Sequence, residues 1–273
     1  MSFEQFIKER QYLQNVSPRT VQWYGESFKW LGIESPDSAD LKSFVMRMRE
    51  RGLKPSSCNN RIRAVNAYLK WCGSPLHVSR LKEEQRVLPT FPLPDIRKLA
   101  AWKPNGFYEV RLHTIVVTLA DTGCRINEIL GLHWTDCDFD NLLLTVKGKG
   151  SKERKVPFSF ELRRFLWKYQ QRKNDDELVF ATRDGRMLGR REVLRDVKSL
   201  CRKLRLKVPE RTLHAFRHTF AINYLRNGGS VFHLQKALGH SSLEMTRRYV
   251  NLLTEDLQRI HQRVSLLANA GLR

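Results

Sequence analysis

The stretch LHAFRHTF, Leu213 to Phe220, sets His214, Arg217 and His218 within five residues. On a helix, His214 shares a face with each of the other two, three and four positions on. Two chemistries want such a set. Zinc takes an i, i+4 pair of imidazoles, whereas a phosphate takes the guanidinium and one imidazole as hydrogen-bond donors.

Three other stretches weigh on the choice. In DTGCRINEILGL, Arg125 opens a helix just after a glycine, so its guanidinium and the free N–H groups of the first turn can face one anion, with Glu128 placed to tether it. In VKGKGSKERKVP, Gly148 and Gly150 bracket Lys149 at a hairpin tip and project one ammonium, while Lys152, Arg154 and Lys155 give the second arm a phosphate-contacting charge. In LGHSSLEMTRRYV, His240 follows the glycine that ends one helix, Ser242 caps the next, and Tyr249 lies near that helix's end. Arg125, Lys149, His214, Arg217, His240 and Tyr249 together are five cations or imidazoles and one phenol, with no carboxylate pair to seat a divalent metal. The set reads as a phosphate site. His218, without a third zinc ligand nearby, reads as a packing residue or an internal hydrogen-bond partner.

The elements that must position these residues follow from periodicity. Apolar residues recur at helical spacing from Phe3 to about Cys72, which predicts four short helices with cap and proline signals at Ser17, Ser35 and Lys54. Pro89, Pro92 and Pro94 crowd six residues and cannot continue a helix, so residues 1–86 form one domain, 87–93 a linker and 94–273 a second domain. In the second, helices are expected at Pro94–Ala101, Glu109–Thr122, Arg190–Leu204, His214–Arg226, Val231–Leu238, Leu243–Val250 and Thr254–Ala268. LLLTVKG and ERKVPFS form strands about the Gly-Lys-Gly turn, with ELVFA as a third.

Composition sets the partner. Lys and Arg number 49 against 28 Asp and Glu, a net charge of +21 over 273 residues, and 41% apolar residues are enough for a real core. Such a balance favours a polyanion, with nucleic acid first. The five cysteines are odd in number, scattered and never spaced Cys-x-x-Cys, as in a reduced cytoplasmic protein. TIVVTLA is far too short to span a bilayer, so no membrane association is expected.

The ordered set TGCRINEILGL, GKGSKER, HAFRHTF and LGHSSLEMTRRY resembles the tyrosine recombinases, the phage integrase and Xer-type family, from about Pro94 to the end. SPRTV and NNRIRAVNAYLKW resemble that family's core-binding domain more loosely. The resemblance implies a mainly α fold: a helical, SAM-like core-binding domain, and an α+β catalytic domain of helices with a small three-stranded antiparallel sheet, the two forming a C-shaped clamp on DNA. It implies that Tyr249 attacks the scissile phosphate, in cis or in trans, leaving a 3′-phosphotyrosine and a free 5′-hydroxyl. Arg125 and Arg217 would clamp the non-bridging oxygens, Lys149 would protonate the leaving 5′ oxygen, His214 would assist proton removal from the tyrosine, and His240 would donate a hydrogen bond to the phosphate. Lys54, Arg61 and Arg63 on the fourth helix, with Lys152 and Arg154, are the candidate DNA contacts. The apolar stripe Leu257, Ile260, Val264 and Leu267 would dock the last helix on a neighbour in a homotetramer spanning two recombination sites.

This chemistry also stands on physical grounds. A phenol with pKa near ~10 needs a base and a positive phosphate pocket to react at neutral pH. A tyrosyl phosphate ester roughly conserves the energy of the broken link, so neither nucleotide nor metal cofactor is expected, and no Gly-x-x-x-x-Gly-Lys-Ser/Thr loop occurs. The expected activity is site-specific recombination through a Holliday junction, for integration, excision or resolution, by a cytoplasmic, nucleoid-associated enzyme with accessory proteins unspecified. The rivals are a type IB topoisomerase-like nicking and resealing enzyme, a DNA-binding protein of the same fold without chemistry, and a metallo-nuclease.

Overall fold

The structure is a computed structural model, and it describes residues 2–84, 88–148, 153–171, 177–240, 242–250, 261 and 265. The chain divides into two compact units, Met1–Arg86 and Val87–Arg273.

The first unit is four helices: α1 (Phe3–Tyr12), α2 (Pro18–Leu31), α3 (Ser38–Glu50) and α4 (Pro55–Trp71). Their starts are fixed by short polar side chains that satisfy first-turn N–H groups. Ser2 and Ser17 cap α1 and α2, and Asp37 and Asp40 form a reciprocal capping box on α3. Phe6, Tyr24, Phe28 and Tyr68 close one end of the core, and Leu31, Phe44, Met48, Ile62 and Val65 fill the other. The chain after α4 lies back on that helix because Asn59 bonds both the N–H and C=O of Leu81, and Asn66 does the same for Val78.

The second unit runs α5 (Leu93–Ala101), α6 (Gly106–Thr122), α7 (Ile126–Leu130), a 3-10 turn (Trp134–Asp136), β1 (Cys137–Asp138), β2 (Leu143–Lys147), β3 (Glu153–Pro157), α8 (Phe160–Gln170), α9 (Arg190–Lys203), α10 (Thr212–Arg226), α11 (Val231–Leu238) and α12 (Leu243–Val250). Helix α6 is the axis. It is apolar nearly all round and buried from His113 to Leu119, and Thr114, Thr118 and Thr122 hide their hydroxyls by donating to carbonyls one turn back. It ends at Gly123, whose φ of +61° sits in the left-handed region. There a Cβ would stand 2.4 Å from Cδ1 of Phe220 on α10, so both the turn and the close helix approach require glycine.

The sheet is antiparallel in the order β1-β2-β3, with Thr145 opposite Lys155 and Val146 opposite Arg154. Its third strand is the short β1. ELVFA, expected there, makes two isolated bridges instead, His133 to Leu178 and Ala181 to Met187, and serves to bury Val179 and Phe180 in the core. Helix α8 was not anticipated. Phe91, in the expected linker, is buried against Phe216, and its N–H donates to Oγ1 of Thr219, so that stretch belongs to the second unit. The expected helix over 254–268 lies outside the described residues apart from 261 and 265. Among the described residues no helix is long and apolar enough to cross a membrane.

Candidate active site

The site is built where α6, α10 and α11 end or begin near one another. Arg125 is the N-cap of α7, two residues past the Gly123 turn. Glu128, one turn into α7 and buried, accepts from the Arg125 backbone N–H (2.7 Å) and from its Nη1 (2.8 Å). The same carboxylate takes both terminal nitrogens of Arg154 on β3, at 2.9 and 2.8 Å. Burial works against the charge on Glu128, yet the bonds from Arg154 and Arg125 hold its carboxyl below the ordinary carboxylate range. One acid thus organises two guanidinia and leaves the Arg125 side chain 39% exposed, able to reach an anion.

Arg154, one of the expected DNA contacts, is turned toward Glu128 and α11. Its fork is spent on Glu128, and its Nε donates to the Ala237 carbonyl at the end of α11, 2.8 Å away. Its side chain is only 13% exposed, turned inward by a carboxylate that it neutralises.

Arg217 lies on α10 and is buried. Its Nη1 donates to the Gly123 carbonyl (3.0 Å) and its Nη2 to the Leu238 carbonyl (2.6 Å). Desolvation, with the nearby Arg125 charge, lowers its pKa to about 10, so it remains a cation at neutral pH. Helix α11 stops at Gly239, in the left-handed conformation at φ +64°, and the chain delivers His240 next. Nδ1 of His240 meets Oγ1 of Thr246 at 2.8 Å, a partner on α12 that no motif singles out.

Tyr249, also on α12, is 4% exposed and sits between two imidazoles. The His240 ring stacks parallel to it at 6.2 Å between centroids, and Nδ1 of His218 lies 3.0 Å from the Tyr249 hydroxyl. Burial raises the phenol's pKa, while the guanidinia of Arg217 and Arg248 pull it down. His218 and His240 are each lowered to about 4, first by desolvation, then by His214 and surrounding arginines for His218 and by arginines alone for His240, so both rings are neutral at pH 7. His214 is lowered for the same reasons and stands more open to solvent on the first turn of α10. The imidazole hydrogen-bonded to the tyrosine is His218, for which packing or an internal hydrogen bond is expected, while His214, expected to assist proton removal, stands on the first turn of α10.

Lys149 and Lys152 lie outside the described residues. In the first unit Lys54 is the exposed N-cap residue of α4. Arg61 donates to the Ser57 carbonyl and lies over the Trp30 ring, and the exposed Arg63 lies over Trp23. These stacks hold both guanidinia on aromatic faces. Among the described residues no cluster of three or more His, Cys, Asp or Glu could hold a metal ion, and His214 and His218 find no third ligand.

Known proteins resemble this chain in sequence and in fold. The family model described as the phage integrase family matches residues 94–256. The tyrosine recombinase XerA of Pyrococcus furiosus is 31% identical over 243 residues, covering 86% of this chain and 83% of XerA. The tyrosine recombinase XerD of Rhizobium meliloti is 29% identical over 253 residues, covering 85% and 81%. Among solved structures, the Tn1549 transposon integrase bound to transposon right-end DNA superposes with a TM-score of 0.76 at 21% identity, over 95% of this chain and 99% of that one. XerH bound to a palindromic difH substrate gives 0.72 at 19%, over 97% and 83%. At those identities the structures speak for the fold, and the family follows from the sequence matches: this chain belongs to the phage integrase family and is a tyrosine recombinase.

Proposed function

We propose that this recombinase cuts and rejoins duplex DNA at a specific site through a 3′-phosphotyrosine on Tyr249, exchanging strands by way of a Holliday junction. The observation that carries the reading is the Tyr249 hydroxyl, buried among cations and 3.0 Å from an imidazole of its own chain. That placement supports attack in cis. The hydroxyl bonds to the scissile phosphorus, Arg125 and Arg217 bind the non-bridging oxygens as charge builds on them, and the 5′ oxygen leaves. Carbonyls already hold Arg217 in place, so it spends no binding energy on being ordered. His214 and His240 offer neutral N–H donors to the same phosphate, and Lys149 protonates the leaving oxygen.

Both units contact the duplex, with Lys54, Arg61, Arg63 and Lys152 among the phosphate contacts, and the apolar stripe Leu257, Ile260, Val264 and Leu267 joins protomers into a tetramer on two sites. The DNA-bound state of the Tn1549 integrase and XerH structures supports a duplex partner here.

The test uses nicked duplexes tiled from DNA flanking the gene, incubated with the protein in EDTA and resolved on denaturing gels. A covalent adduct formed by the wild type and lost in Tyr249→Phe is expected. A specific native gel shift with no adduct on any nicked duplex would replace this reading with a DNA-binding protein that keeps the fold but does no chemistry.

A further inference from the structure

Three imidazoles surround the nucleophile's neighbourhood, and their geometry separates them. His240 directs Nδ1 at Thr246, and its ring lies parallel to Tyr249 at an interplanar angle of 8°, so that nitrogen does not address the phenol oxygen. His214 stands one turn earlier on α10, at the solvent-facing edge beside Arg125 and Arg217. His218 presents a ring nitrogen to the hydroxyl at 3.0 Å, with its ring tilted 49° to the phenol. Among the described residues it is the one side chain hydrogen-bonded to Tyr249 that can accept a proton.

We infer that His218 is the immediate proton acceptor for Tyr249 in cleavage, and the donor that returns that proton in rejoining. The inference rests on the proposed phosphotyrosine chemistry. In the forward step the Tyr249 oxygen forms its bond to phosphorus while the bond from phosphorus to the 5′ oxygen breaks. The phenolic proton passes to Nδ1 of His218, which requires the tautomer protonated at Nε2, and the 5′ oxygen takes a proton from the general acid. Rejoining reverses each transfer.

The surroundings of His218 fit a base that acts only when DNA is present. Facing it are Tyr249 and Arg248 from α12, and His214, Arg217 and Arg211 from α10 and its N-cap. In the free protein this positive field and burial keep the ring neutral, ready to accept. A weak base is a poor match for a phenol at rest. A scissile phosphate held by Arg217 offsets that part of the field, so the basicity of His218 rises as substrate binds.

The experiment is single-turnover cleavage of the nicked site by wild type, His218→Ala and His218→Gln, with native gel shifts alongside. Gln keeps a hydrogen-bonding side chain but cannot take up a proton. Both variants are expected to bind DNA as wild type does and to cleave about 10²- to 10⁴-fold more slowly. Added imidazole should restore part of the His218→Ala rate, more so as pH rises and the free base accumulates. A His218→Gln variant that cleaves within threefold of wild type overturns the inference, and so does a His218→Ala rate that imidazole leaves unchanged while Gln restores it. If His218→Ala fails to fold, the Gln variant decides. A wild type that forms no adduct defeats the phosphotyrosine reading itself, an outcome distinct from a wild type that reacts and a His218→Gln that reacts equally well.

Discussion

Glu128 shows how much one carboxylate can fix. It is buried, accepts four hydrogen bonds from Arg125 and Arg154, and so determines where both guanidinia stand. Glu128→Gln leaves Arg154 buried without its counter-charge, which should cost about 3 kcal/mol of stability and show as a lower urea midpoint at unchanged slope. A loss below about 1 kcal/mol would mean that solvent already shields the pair. Acid should act through the imidazoles. His218 and His240 titrate near 4 when folded and near the usual ~6.5 when unfolded, so between those values the unfolded chain binds more protons. Their contribution is whole above about pH 6.5 and is lost as pH falls toward 4, with Glu128 adding its own loss at the acid end of that range. Melting temperatures at pH 7, 5.5 and 4.5 should fall in that order, and less steeply in His218→Gln. At this scale the sequence was informative about residue type, since the arginines, imidazoles and phenol stand at spacings that suggest one anion site. It was silent on direction. Nothing in GKGSKERK says that Arg154 turns inward while its neighbours do not, because the partner that turns it, Glu128, is 26 positions away.

Elements place these side chains, and the Gly123 turn matters most among them. It ends α6, starts the approach to Arg125, and gives its carbonyl to Arg217. Gly123→Ala would drive a methyl into Phe220 while holding a left-handed conformation, at a cost of about 2 kcal/mol. Since the same shift moves the Arg217 anchor, cleavage should fall more than DNA binding, as single-turnover rates set beside gel shifts would show. Helix starts, stops and the β2-β3 hairpin were legible because caps, glycines and apolar periods are local. Helix α8 was not, although Leu162, Leu166 and Tyr169 keep helical spacing on its buried side. Phe160 and Trp167 on its exposed side blur the contrast between apolar and polar faces. ELVFA reads as a strand by composition, but the third strand is β1, which is too short to leave a signal.

For the molecule as a whole, the charge of +21 belongs to binding and not to folding. Affinity for duplex should fall about 10³-fold or more between 50 and 200 mM salt, with a linear log–log slope, if six or more phosphates are contacted. A shallow slope in gel-shift titrations would confine the contacts to the phosphate pocket. The proline-rich break falls at the boundary between the two units, and Phe91 within it packs into the second core. The last turn of α11 carries a different kind of consequence. Its carbonyls at Ala237 and Leu238 are gripped by two arginines, Arg154 from the hairpin strand and Arg217 from α10, and the chain beyond that turn carries His240, Thr246 and Tyr249. The segment that carries Tyr249 is therefore latched from both sides at a single point. Losing Arg154, which reaches that turn from a distant strand, would free one side of the latch while Arg217 still holds the other.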